Sequence, residues 1–357
     1  MSFHEILIAV MAGVAILGAV DRIIGNRFGL GKEFEEGILA MGSLALAMVG
    51  IVSLAPVLAS FLKPVVVPVF GFLGADPAMF AGTILACDMG GGALAMEMTE
   101  NRDAALLGGV LNGSMLGATL VFTLPVAMGI LREEDRSAMA KGILCGIVTI
   151  PLGIFAGGIA AGFSIVMVLR NLIPIVLIAA LIALGLWRAE RAMVKGFALF
   201  GKLVVIVVTL GLAAAIVEAL TDFVIIPGMA PISEGFETVG TIAVLLAGAF
   251  PLVFVLTKLL RKPLMAAGRK LGINDAAAAG LVASLANSIA TFGMVKDMNE
   301  RGKVINIAFA VSAAFVFGDH LGFTAGFAPE MIGPMIIGKL VGGISAVVVA
   351  MFLTKKD

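Results

Sequence analysis

Charge is scarce in this chain of 357 residues: Asp, Glu, Lys and Arg make up 13% of it, about half the share in an ordinary soluble domain. That scarcity excludes a soluble protein, because the polar surface left over could not cover 61% of hydrophobic residues. The formal net charge is zero, so nothing points to nucleic acid or an acidic partner. The two cysteines, Cys87 and Cys145, lie far apart without the neighbours of a zinc or thioredoxin-type motif, and both read as packed thiols. Tyrosine is absent and Trp187 is the sole tryptophan, so a cation–π contact with a solute would fall to phenylalanine. The N-terminal stretch MSFHEILIAVMAGVAILGAV lacks a basic n-region and a clear A-x-A site, and is expected to remain as a first span. No nucleophile, metal constellation or phosphate loop stands out, which makes an enzyme the weakest reading; no cofactor and no metal is expected.

What the chain has in abundance is apolar sequence. Its mean hydropathy is +1.13 and it contains 45 glycines, a composition suited to closely packed membrane helices. Windows of about 20 apolar residues, enough to cross a bilayer core, recur along its length. Eleven segments qualify, at 4–21, 36–60, 78–97, 104–131, 138–163, 165–187, 194–220, 238–258, 276–295, 303–327 and 331–353. As eleven full crossings they would divide the loop Lys and Arg almost evenly between the two faces, against the positive-inside rule. If 78–97 and 276–295 instead dip in and return, nineteen basic residues fall on one face. They include Arg22, Arg132, Arg136, Arg261, Arg269, Lys296, Arg301, Lys303, Lys355 and Lys356, against Lys63, Arg102 and Arg170 on the other. The expected architecture is an all-α polytopic membrane protein of about nine transmembrane helices plus two re-entrant segments, N-terminus out and C-terminus cytoplasmic.

Internal similarity supports that reading. KPVVVPVFGFLGADPAMFAGTILACDMGG from Lys63 resembles KPLMAAGRKLGINDAAAAGLVASLANSIA from Lys262, with Gly74 opposite Gly272 and Gly82 opposite Gly280. Val110-Leu111-Asn112 likewise parallels Val304-Ile305-Asn306. An odd number of crossings between the copies would make them inverted repeats: residues 1–163 and 191–357, joined by a linker helix at 164–190 within one transmembrane domain. Inverted repeats with broken helices recur in secondary transporters, and irregular backbone at membrane depth is tolerated where it lines a wet cavity or is buried in protein. CDMGGG at Cys87 and LANSIA at Leu285 are the expected breaks.

Ionisable groups inside apolar spans are functional candidates. Asp319 and His320, within FAVSAAFVFGDHLGFTAGF, are the clearest, as solute ligands or else as a structural pair at the Gly318 break. Asn306 would fall on the same face as His320 if the intervening helix stayed regular. Asp88, Asn287 and Ser288 sit at the expected breaks. Asn112, Thr119 and Thr123 form a polar stripe that either meets the solute or holds helices together, and Pro125 should kink that span. Glu97 is either a gate or an interfacial charge. Acids, amides and hydroxyls without a lysine in the expected site favour a small cationic or neutral polar solute; Lys202 and Lys339 fall outside both repeat cores.

FEEGILAMGSLALAMVGIVSLAPVLA, MFAGTILACDMGG and RGKVINIAFAVSAAFVFGDHLGF resemble the ethanolamine permease family encoded with ethanolamine-utilisation enzymes, over nearly the whole chain. The resemblance implies a bacterial inner-membrane carrier whose partners are ethanolamine and the lipid bilayer. A homo-oligomer is compatible with the sequence. A conduit for ammonia or another neutral solute stays open beside it.

Overall fold

Among the described residues, glycine, proline and short polar turns cut the apolar chain into fourteen α-helices. They are α1 (Phe3–Ile23), α2 (Leu30–Phe72), α3 (Ala78–Ile84), α4 (Gly91–Met98), α5 (Arg102–Leu106), α6 (Leu124–Ile130), α7 (Arg136–Ala160), α8 (Ile165–Thr221), α9 (Ile232–Lys270), α10 (Asp275–Ala286), α11 (Ser288–Met294), α12 (Glu300–Ala313), α13 (Asp319–Phe327) and α14 (Ile332–Leu353). The computed structural model describes residues 3–354, without the side chains at 260, 261, 264, 267 and 269. Lys355 and Lys356, and the side chains of Arg261 and Arg269, therefore lie outside the described residues. No strand occurs among those described. The protein is all-α and polytopic.

Seven helical segments among the described residues are long and apolar enough to cross a bilayer: Phe3–Ile23, Leu30–Phe72, Arg102–Ile130, Glu133–Ala160, Ile165–Thr221, Ile232–Leu259 and Pro329–Leu353. Two features separate this set from the spans expected from hydropathy. The first is α8, whose 57 residues would reach about 85 Å if straight. It is not straight: Ala189 leaves the helical region (φ −144°, ψ 46°). A Cβ on Gly185 would lie 2.7 Å from the sulfur of Met193, whereas residues eight apart are about 12 Å apart along a straight helix. The chain bends sharply there. The limb before the bend packs Val168 against Gly158 of α7, and the limb after it packs Gly211 against Leu54 of α2. The second feature is the stretch expected at 303–327, which is broken between α12 and α13.

The segment Arg102–Ile130 winds as a π-helix over Leu107–Gly117 and again over Thr119–Thr123. Its i→i+5 bonding shifts which residues share a face, so Asn112 and Thr119 do not form the single stripe expected from α-helical spacing. Asn112 turns to α3, where its Nδ2 donates to the carbonyl of Met79 (3.2 Å) and the hydroxyl of Thr83 (3.0 Å). Thr119 turns to α12 and donates to the carbonyl of Val311 (3.0 Å).

Two short helix pairs are hairpins whose ends meet. The hydroxyl of Thr99, after α4, donates to the carboxylate of Asp76, before α3 (2.9 Å). Asn274, before α10, donates to the carbonyl of Asp297, after α11 (2.8 Å), and Asn299 donates back to Gly272 O (3.2 Å). The hairpin mouths lie among different neighbours. Beside the first, Asn171 accepts from the amide of Asp76 (2.6 Å), and Arg102 pairs with Glu330 (2.6 Å). Around the second, Arg301 donates to the carbonyls of Leu271 (2.8 Å) and Thr354 (2.7 Å). Arg132 reaches Lys296 O (3.2 Å), and Lys303 pairs with buried Asp135 (2.7 Å).

Candidate functional site

The interruptions of both hairpins and of α12–α13 come together. In the first hairpin Leu85 and Ala86 are extended, and Gly90 takes φ +88° to start α4. A Cβ at Gly90 would overlap the side chain of Ile51 in α2, so glycine is required there on two counts. In the second hairpin Asn287 is extended (φ −157°, ψ 125°), and its side chain caps α11 by accepting from the Ile289 amide at 2.7 Å. Between α12 and α13 the chain leaves the helix at Ala314, and Phe315 takes φ +63°. The freed amides there do not go unpaired, as burial demands. Phe315 N–H donates to Ser284 O (3.0 Å) and Phe317 N–H to Leu285 O (2.9 Å), at the end of α10. The break and the second hairpin are thus stitched together by backbone. They set Asp319 at the first position of α13, where a helix N-terminus favours a carboxylate.

A cavity of about 310 Å³ fills the space between these breaks. Asp88 from the first hairpin, Asn287 from the second, and Asp319 and His320 from the start of α13 line it. Nε2 of His320 lies 3.7 Å from Oδ1 of Asp88, with the imidazole almost wholly buried. Its Nδ1 has no hydrogen-bond partner among the described residues. Phe122 and Phe315 complete an aromatic wall, edge to face at 5.5 Å, with Phe315 in turn 5.3 Å from the His320 ring. Ser43 of α2 contributes a hydroxyl at the margin.

Two neighbours of the cavity were not legible in the chain. Lys339, expected outside the functional core, is 1% exposed and donates from Nζ to the carbonyl of Ser114 at 2.6 Å. Ser114 follows Gly113, which packs against Cys87, so a buried lysine does stand near the tip of the first hairpin. Cys87 is packed, as its surroundings suggested, but it also comes near Asp88 and His320. The sulfur, a carboxylate oxygen and an imidazole nitrogen lie within 4.8 Å of one another. In sequence, Lys339 was separated from the first hairpin by most of the chain, and helix packing brings them together.

The other candidates lie elsewhere. Ser288 is buried behind Asn287, with an Oγ that has no hydrogen-bond partner among the described residues. Asn306 does not face His320, because the helix that would have aligned them is interrupted. Its amide donates instead to Ala277 O and Gly302 O, both at 2.9 Å. Asn306 thus pins the second hairpin as Asn112 pins the first. Thr123 is buried outside the cavity wall, as is Thr119. Glu97 lies near the mouth of the first hairpin, on α4.

The comparisons agree on relationship. The family described as "Ethanolamine utilisation protein, EutH" matches residues 3–353. The chain is 62% identical to the "Probable ethanolamine permease EutH" of Listeria monocytogenes serotype 1/2a (strain 10403S), over 100% of this chain and 95% of that protein. It is 48% identical to the protein of the same description in Escherichia coli (strain K12), over 100% of this chain and 97% of that one. It is also 51% identical to "Uncharacterized protein YxeR" of Bacillus subtilis (strain 168), over 99% and 96%. No solved structure matches. With the family match running from the first span to the last helix, the chain belongs to the ethanolamine utilisation protein EutH family.

Proposed function

We propose that the chain is an ethanolamine permease of a bacterial inner membrane. It would admit the solute by alternating access, as facilitated or ion-coupled uptake. The observation that carries this reading is the cavity at the meeting of three broken helices, with Asp88 and Asp319 in its wall. Ethanolamine carries an aliphatic amine like that of lysine, with a pKa of about 10, so it reaches the site as a monocation. Ionised, either acid of the cavity wall can pair with that ammonium. Asp88 and Asp319 are the ammonium ligands in this reading. Asn287 and His320 remain for the hydroxyl, which both donates and accepts. Asn112, Asn306 and Thr119 hold the hairpins and spans in register.

The same proposal gives the chain nine crossings, counting each limb of α8 and the broken α12–α13 as one. The two hairpins are re-entrant from opposite faces. Residues 1–163 and 191–357 are inverted repeats linked by 164–190, with the N-terminus out and the C-terminus cytoplasmic. The paired hairpin mouths support it, as do the matched amide pins Asn112 and Asn306. The relatives' descriptions as permeases favour transport over enzyme chemistry.

Uptake of radiolabelled ethanolamine into proteoliposomes tests the reading. Saturable uptake, with the solute recovered chemically unchanged, is expected; uptake no greater than in empty liposomes would refute it. The aromatic wall of Phe122, Phe315 and His320 favours one second reading, a conduit for ammonia or another neutral solute. Non-saturating flux with entry of methylammonium would select that reading instead.

A further inference from the structure

A second cavity, of about 460 Å³, adjoins the first. It lies between the start of α2 and the later part of α9, lined by Glu33 and Glu36 on one side and Phe250, Phe254 and Thr257 on the other. Two residues belong to both cavities, Asn287 and Asp319, whereas Asp88 and His320 line the first alone. The charged wall is mixed, because Lys32 also lines it. A further lysine, Lys258, rests its Nζ 3.9 Å above the ring of Phe254. The cavity lies towards the end of the bundle where α1 turns into α2 and Gly29 meets Phe254. α9 continues from this end to the mouth of the second hairpin, beside Arg301.

From this shared wall we infer that the second cavity is a vestibule for a small primary ammonium cation, connecting the central cavity to the end of the bundle that carries Arg132 and Arg301. Asp319 is the carboxylate common to both chambers. The inference rests on the proposed transport of ethanolamine and adds a route and an order of contacts. An ammonium on Asp88 has Asp319 as its next acid, since both line the first cavity. From Asp319 the cation enters a chamber whose own acids are Glu33 and Glu36. It then exchanges one carboxylate for another without being stranded in an apolar passage, where a bare charge is costly. Phe250 offers a ring to a cation in transit, whereas Lys258 already occupies a face of Phe254. Asn287 at the partition supplies an amide to the hydroxyl on either side.

The test uses membrane vesicles of both orientations, the full-length chain, and initial rates of radiolabelled ethanolamine entry. In the Glu33→Gln/Glu36→Gln variant, KM measured from the vestibule end should rise about three- to tenfold, the effect of two partly exposed charges. KM from the opposite end should stay unchanged. Equal KM changes from both ends, or none from either, would overturn the vestibule while wild-type uptake still upheld the transport reading. A readout that needs no transport separates the two further. A cationic methanethiosulfonate reagent should modify Thr257→Cys from the vestibule end, faster than an anionic reagent of similar size, and ethanolamine should slow it. An unreactive Thr257→Cys, or one preferring the anion, would overturn the vestibule whether or not ethanolamine is the solute.

Discussion

Nε2 of His320 stands 3.7 Å from a carboxylate oxygen of Asp88, joining the tip of the first hairpin to the first turn of α13. No single helix positions both groups. The contact exists because the chain stops being helical at Gly90 and again at Phe315, and because α10 accepts the amides freed at the second break. Asp88, Asp319 and His320 thereby share the wall of one cavity.

Removing the first acid should therefore separate transport from folding. Asp88→Asn keeps the volume of the side chain and is expected to reach the membrane at near wild-type levels. A charge-assisted contact is worth about 1.5–3 kcal/mol, so initial ethanolamine uptake should fall about 10- to 100-fold. Uptake per folded molecule, with the folded fraction taken from size-exclusion chromatography, checks this. Wild-type transport by Asp88→Asn would make Asp88 peripheral.

The hairpin topology predicts a labelling pattern. Single cysteines replacing Lys63 and Arg102, both exposed, should react with an impermeant maleimide from one face of intact cells. Cysteines at Lys262 and Lys296, also exposed, should react only after the membrane is opened. Residues 63 and 102 labelling from opposite faces would contradict a first segment that enters and returns.

Asn306 offers a different discrimination. If it pins the second hairpin, Asn306→Ala removes two buried hydrogen bonds, those its amide donates to the carbonyls of Ala277 and Gly302. That should cost about 1–3 kcal/mol of stability, seen as a lower melting temperature in detergent, while KM for the remaining uptake is unchanged. A raised KM at unchanged melting temperature would return Asn306 to the solute's side.

At the hairpin tip, Gly90→Ala should be destabilising twice over. A left-handed backbone costs a non-glycine residue about 1–2 kcal/mol, and the new methyl would overlap Ile51. Adding Ile51→Ala removes the two nearest carbons but keeps a Cβ 2.8 Å from the new methyl, so melting temperature and uptake should rise only part of the way. Full recovery would mean that the positive φ is not needed for function.

Much of this was written in the chain. Hydropathy alone required helices in a bilayer, because 61% hydrophobic residues have no other stable disposition at this length. Local chemistry marked the breaks as well: three consecutive glycines after Asp88, the Asn287-Ser288 pair, and charged residues beside Gly318 are poor helix interior and good turn material. The acids that line the cavity stood out on the same ground, since an unpaired charge is costly in lipid wherever it lies. What sequence could not decide were the relationships that depend on the angle between helices and on exact winding. The π-helical turns of Leu107–Gly117 redirect Asn112 towards α3, and the αL residue Phe315 cancels the alignment of Asn306 with His320. Neither is visible in a pattern that assumes 3.6 residues per turn. Lys339 is the plainest case. Its neighbours in the chain are apolar and give no hint of a partner, yet packing α14 against α7 and the π-helix carries its Nζ to Ser114, near the tip of the first hairpin. Burial of a charge is local information, but the identity of what it meets is set by tertiary packing.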